Sequence, residues 1–209
     1  MKMLRIVCAA LLSLAASTGS DAAGLRQLLP SLTQGGYVLV FRHVATDDSQ
    51  KDVYPFNFDD MKAQRQLSDP GREMARRMGA AIGKLGIPIG DVYTSRLNRA
   101  VETGKLLFGK DVKPVYALTY SSSGVASGMA NPGGNAKAGR ALRELVDAPP
   151  NAGLNTVLVT HKTNIADAFG REASDVQEGE AFVYKSSAAG PAAFVARIKA
   201  ADWIAQAGG

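Results

Sequence analysis

Tyr37-Val38-Leu39-Val40-Phe41-Arg42-His43 is an apolar, β-branched run that stops at an arginine and a histidine side by side. Its length and composition are those of a buried strand. In open α/β sheets, ligands bind beyond the carboxyl ends of the strands. Arg42 and His43 are therefore expected to bring a fixed cation and a nucleophile or base to such a mouth. The chain holds two histidines, and the second, His161, follows a similar strand, Thr156-Val157-Leu158-Val159-Thr160. The two strand ends are expected to meet.

Working outward, Leu25, Leu28, Leu29 and Leu32 predict an amphipathic helix over Gly24 to Gly35. Val44 to Gln66 is polar and irregular, and a loop of this length in a compact domain is mostly functional. It is expected to form a wall or lid over the Arg-His pair. Ser68-Asp69-Pro70-Gly71 has the signature of a helix start, with Met74, Met78, Ala81, Ile82 and Leu85 following at helical spacing. A strand over Asp91 to Thr94 turns through Ser95-Arg96-Leu97-Asn98-Arg99 into another helix. Val112 to Tyr116 suits an edge strand, and Tyr120 to Asn135, rich in Ser, Gly and Asn, a second loop. Helices over Ala136 to Val146 and Thr163 to Phe169 bracket the second histidine strand. Ala181 to Tyr184 and Ala193 to Ile198 read as a closing hairpin, and Ala201 to Ala207 as a terminal helix fragment. This alternation predicts a single α/β domain: three α/β/α layers around a mostly parallel sheet.

The first 23 residues have a charged start (Lys2, Arg5), an apolar run from Ile6 to Ala16 and small residues up to Ala22-Ala23. That is the layout of a secretory signal peptide. The expected domain is then 24–209, in a periplasmic or secreted protein with no membrane attachment after cleavage. The one cysteine, Cys8, lies inside the leader, so neither disulfides nor thiol chemistry are expected. A net charge of +5 arises from scattered basic residues rather than a dense run, so nucleic-acid binding is not the default reading, and the mild positive balance fits a small anionic ligand without singling one out.

Arginine is costly at the end of a core strand unless it faces an anion. Arg96 and Arg99 stand three apart at a helix start, where backbone N–H groups favour negative charge, and guanidinium forks match phosphate. Two histidines among arginines suit phosphoryl transfer: one imidazole attacks phosphorus and the arginines neutralise the developing charge. A metal site is not expected, because arginines crowd both histidines and no carboxylate stands at ligand spacing. No other cofactor is implied.

At this point the residues resemble a known family. Arg42-His43-Val44-Ala45-Thr46 is similar to the Arg-His-Gly-x-Thr/Ser motif of the histidine phosphatase superfamily, also called phosphoglycerate mutase-like. Leu67-Ser68 through Gly71 resembles that family's Leu-Thr/Ser-x-x-Gly helix start. Ser95-x-x-x-Arg99-Ala100-x-x-Thr103 and Val159-Thr160-His161 resemble its third and fourth motifs, in the family's order. The resemblance implies a phosphoglycerate mutase-like fold and His43 as the phosphorylated nucleophile. It implies a phosphate pocket of Arg42, Arg99 and His161, with Thr46 and Arg96 as auxiliary contacts.

The chain departs from the family's pattern in three ways. Val44 replaces the glycine after the Arg-His pair, which is expected to alter the backbone approach to phosphate. Lys162 follows His161 where the acid phosphatase branch has aspartate. The loop expected to carry the mutase branch's glutamate, Tyr120 to Asn135, contains no carboxylate. Candidates for the general acid are Glu178, Glu180, Asp47 and Asp48; Glu180 is favoured because it abuts the apolar run Ala181-Phe182-Val183-Tyr184. The expected activity is metal-independent hydrolysis of a phosphomonoester or related phosphorylated anion. A phosphomutase and a non-catalytic binder of phosphorylated ligands are the alternatives.

Overall fold

A computed structural model describes residues 20–109, 111–119 and 134–208, with only the backbone for 20–23 and 134–135. Most of the leader (residues 1–19) and most of the second expected loop (120–133) lie outside the described residues. The elements are α1 (Ser20–Leu32), β1 (Tyr37–Arg42), α2 (Asp69–Lys84), β2 (Ile89–Thr94), α3 (Asn98–Phe108) and β3 (Lys113–Pro114). They continue with α4 (Gly134–Asp147), β4 (Asn155–Thr160), α5 (Lys162–Phe169), β5 (Ala181–Lys185), β6 (Ala193–Ile198) and α6 (Ala200–Gly208).

The six strands run in the order β3-β2-β4-β1-β5-β6. β3, β2, β4 and β1 are mutually parallel, whereas β5 is antiparallel to both β1 and β6. The strand that opens the fold is therefore central, as its unbroken apolar run requires for burial on both faces. Successive side chains of a strand point to opposite faces. Tyr37, Leu39 and Phe41 join a core with α1, α2, α3 and α6, while Val38 and Val40 join a second core with α4 and α5. These are the three layers expected from the sequence.

α2 begins where its chemistry says it should: Ser68 Oγ accepts from the Gly71 N–H at 3.1 Å, and Pro70 sits in the first turn. α1 differs from expectation, starting at Ser20 rather than Gly24 and ending at Leu32. Gly35 and Gly36, both at positive φ, turn the chain into β1. β3 is two residues long because Pro114 cannot donate to a ladder. The long excursion after His43 is pinned at its base, where Thr46 pairs antiparallel with Leu67 and Asp47 N donates to Gln66 O at 3.0 Å.

Candidate functional site

Strand order sets the site. β2, β4 and β1 are neighbours, so their carboxyl ends deliver Ser95, His161 and His43 to one edge of the sheet. The ladder continues past the strands: His43 N donates to Thr160 O at 3.0 Å, and Ser95 N to Val159 O at 2.9 Å. The two histidine rings meet edge to face, 5.2 Å between centroids. Arg99 rises from the first turn of α3, with only 6% of its surface exposed.

The tautomer of His43 follows from its partner. His43 Nδ1 lies 2.8 Å from Val44 O, and a carbonyl only accepts, so Nδ1 carries the proton and Nε2 keeps its lone pair. His161 Nε2 lies 2.8 Å from Ser95 Oγ, which already accepts from the Leu97 N–H at 3.2 Å. A hydroxyl oxygen can accept twice, so the contact fits either tautomer, and His161 Nδ1 is a buried atom without a protein partner. With the proton on Nδ1, that atom is a donor suited to an incoming oxygen.

Burial pushes the His43 imidazole down to about 3, helped by the Arg99 charge and then by Arg42 and Arg65. Burial also holds His161 well below its ordinary value, again assisted by Arg99. Both rings are therefore neutral at physiological pH. Arg99 donates from Nη1 to Asp52 Oδ1 at 2.9 Å, while its buried Nε has no partner. Arg42 donates to Val176 O at 2.8 Å and to Glu178 Oε1 at 3.1 Å, and its Nε is likewise buried and unpartnered.

The expected residues divide. Arg42, His43, Arg99 and His161 come together. Thr46 is buried, with its backbone in the bridge to Leu67. Arg96 is engaged elsewhere, with its guanidinium 4.3 Å from the Phe58 ring centre and 4.4 Å from that of Tyr116. Glu180 is a correction. It is 1% exposed, with its oxygens 2.7 and 3.0 Å from Arg197 Nε and Nη2, and it also accepts from the Gln177 N–H. It reaches inward, as its apolar neighbours suggested, into a buried ion pair with Arg197 on β6, and its charge is also felt by Arg42.

Val44 stands where the resemblance has glycine, and among the described residues only glycines have positive φ, so Val44 adopts backbone angles open to any residue. Val44 is 1% exposed and packs into the core while its carbonyl orients His43. Its N–H is held by Thr103 Oγ1 at 3.3 Å, which gives the last residue of the third motif a positioning role. Gly71 has a steric reason, because a β-carbon there would overlap Ala45 O.

Sequence reading missed Asp52, Arg65 and the part played by Ser95. Asp52 is one carboxylate among several in the polar loop, and only its pairing with Arg99 sets it apart. Arg65 lies close enough for its charge to act on both histidines and both pocket arginines.

This fold and this strand-end site define a class: the chain has the fold of the histidine phosphatase superfamily. It is similar to the mycobacterial glucosyl-3-phosphoglycerate phosphatase complexed with VO3, at 17% identity over 79% of this chain and 100% of that one, TM-score 0.54. It is similar to the phosphoserine phosphatase of Entamoeba histolytica in complex with 3-phosphoglyceric acid, at 15% identity over 78% and 96%, TM-score 0.55. The alpha-ribazole phosphatase of Shigella flexneri shares 15% identity over 78% and 96%, TM-score 0.54. No protein-family model and no curated protein matches the chain.

Proposed function

We propose that the protein is a metal-independent phosphatase that hydrolyses small phosphomonoesters through a phosphohistidine on His43. The observation that carries this reading is the bond from His43 Nδ1–H to Val44 O, which leaves a neutral Nε2 beside two arginines. A lone pair held at fixed orientation is what in-line attack on phosphorus requires. Nε2 forms a bond to phosphorus as the ester P–O bond breaks and the alcohol departs. Water then attacks the phosphohistidine, the P–N bond breaks, and inorganic phosphate leaves.

The equatorial oxygens gather negative charge in both steps. The unpartnered Nε groups of Arg99 and Arg42 and the Nδ1–H of His161 are the donors proposed to receive them. The phosphatases of the same fold that bind phosphoserine or 3-phosphoglyceric acid support a small phosphorylated substrate. The apolar leader supports a periplasmic or secreted location.

The test is hydrolysis of an aryl phosphate by purified protein with a chelator present, followed by denaturing quench and search for an acid-labile phosphoryl group on His43. Wild-type turnover with a trapped phosphohistidine, and loss of at least about 10³-fold in His43→Ala, is the expected result. Activity that disappears with the chelator, or survives His43→Ala, overturns the mechanism. Tight phosphate binding without turnover of any ester would make the protein a binder.

A further inference from the structure

A leaving group that departs as an alkoxide needs a proton, and each carboxylate near the site can be placed. Asp47 is tied to Ser49 on the surface, and the side chain of Asp48 is 98% exposed. Glu180 is engaged by Arg197. Glu178 touches Arg42 but is 41% exposed, toward solvent. Asp52 alone among these is held on the pocket arginine Arg99 and shielded, with 11% of its side chain exposed.

Its carboxylate is fixed from two sides. Arg65 N donates to Asp52 Oδ1 at 2.9 Å, so the carboxylate is fixed to the loop's own backbone as well as to Arg99. Both bonds fall on Oδ1, which leaves Oδ2 as the oxygen that can carry a proton. The loop is anchored to the start of α3, where Gln64 Oε1 accepts from Asn98 N at 2.9 Å. Tyr54, two residues on, lies within the electrostatic reach of both Asp52 and Arg99, so this stretch of loop borders the pocket.

Resting on the phosphohistidine reading, we propose that Asp52 is the proton donor to the leaving group and the base for the attacking water. A phosphoryl dianion entering beside it takes over the Arg99 donor, and two like charges in contact share a proton. In the first step the Oδ2 proton passes to the ester oxygen as the P–O bond breaks and the P–Nε2 bond forms. In the second step the Asp52 carboxylate takes a proton from water while the water oxygen bonds to phosphorus and the P–N bond breaks. Asp52 ends protonated, and the sum is ester plus water giving alcohol plus phosphate.

The test compares two esters in Asp52→Asn and Asp52→Ala. One is an alkyl phosphate, whose alkoxide needs protonation; the other is 2,4-dinitrophenyl phosphate, whose phenolate does not. Loss of the proton donor is expected to lower the alkyl phosphate rate about 10²-fold or more while changing phosphorylation by the aryl ester less than about threefold. The aryl burst also reports that the variants fold. Asp52→Asn is further expected to accumulate phosphohistidine, because the second step loses its base. Equal losses on both esters would reduce Asp52 to a prop for Arg99 and overturn the proposal, as would no loss on either. His43→Ala, run in parallel, separates the two readings. If it stays active, the phosphohistidine mechanism falls and this proposal with it; if it is dead and the Asp52 variants do not discriminate, only this proposal falls.

Discussion

Ser95 Oγ and His161 Nε2, 66 residues apart in sequence, meet at 2.8 Å at the ends of adjacent strands. The serine oxygen accepts from the Leu97 N–H, and a hydroxyl that donates to Nε2 places the His161 proton on Nδ1, facing the phosphate pocket. Ser95→Ala is expected to lower kcat for aryl phosphates about tenfold, less than the 10²-fold or more that loss of a transition-state donor costs. Ser95→Thr, which keeps the hydroxyl, should recover most of it. Unchanged kcat in Ser95→Ala would show that the tautomer is set by something else.

Both histidines are buried and neutral, and the chain has no others. Imidazole nitrogen spectra should therefore show two neutral rings at pH 5, with His43 protonated at Nδ1. The stability consequence has a definite sign. The folded values lie below the ordinary 6.5, so the unfolded chain takes up protons first as the pH falls. The stabilisation is complete above about 6.5 and is lost as the pH drops toward the folded values, at up to about 1.4 kcal/mol per pH unit for each ring. Denaturant midpoints at pH 7, 5.5 and 4.5 should fall steadily, and a flat profile would contradict the burial argument.

Glu180 illustrates where sequence reading stops. Its position before an apolar strand correctly signalled burial, but burial has two outcomes for a carboxylate, and only the partner tells them apart. That partner, Arg197, lies on β6 and becomes its neighbour through the antiparallel β5–β6 pairing. The fold itself was legible because the strands are apolar runs closed by glycine, proline and capping residues. His43, His161 and Arg99 were legible because each sits at a strand or helix boundary. Asp52 carried no such mark, since a loop has no period and its contacts depend on how far it folds back.

Removing one member of a buried ion pair leaves an uncompensated charge. Arg197→Ala is expected to destabilise the fold by about 3 kcal/mol, with the wild-type rate per folded molecule. Thermal unfolding and active-site titration check the two halves separately. A large loss of kcat with unchanged melting would return Glu180 to the reaction.

Gly71→Ala should act on placement. The added methyl group must displace Ala45 O, which also accepts from Ser68 N and Ser68 Oγ at 3.1 and 3.3 Å. The shift would reach Val44 O and the ring it orients. A fall in kcat of about tenfold or more with little change in KM is expected, as for a small misplacement of a reacting group. Equal kcat would mean that the backbone yields elsewhere.

The bridge between Thr46 and Leu67 closes the excursion at its root, while the nucleophile strand is fixed independently by β4 and β5. Closing a loop costs little more when the loop is lengthened, so the stretch between these two positions can vary in length as long as Asp52, Gln64 and Arg65 keep their contacts. A graft that spares those three residues would change what the mouth admits around an unaltered reaction centre, a route by which one reaction can be retargeted.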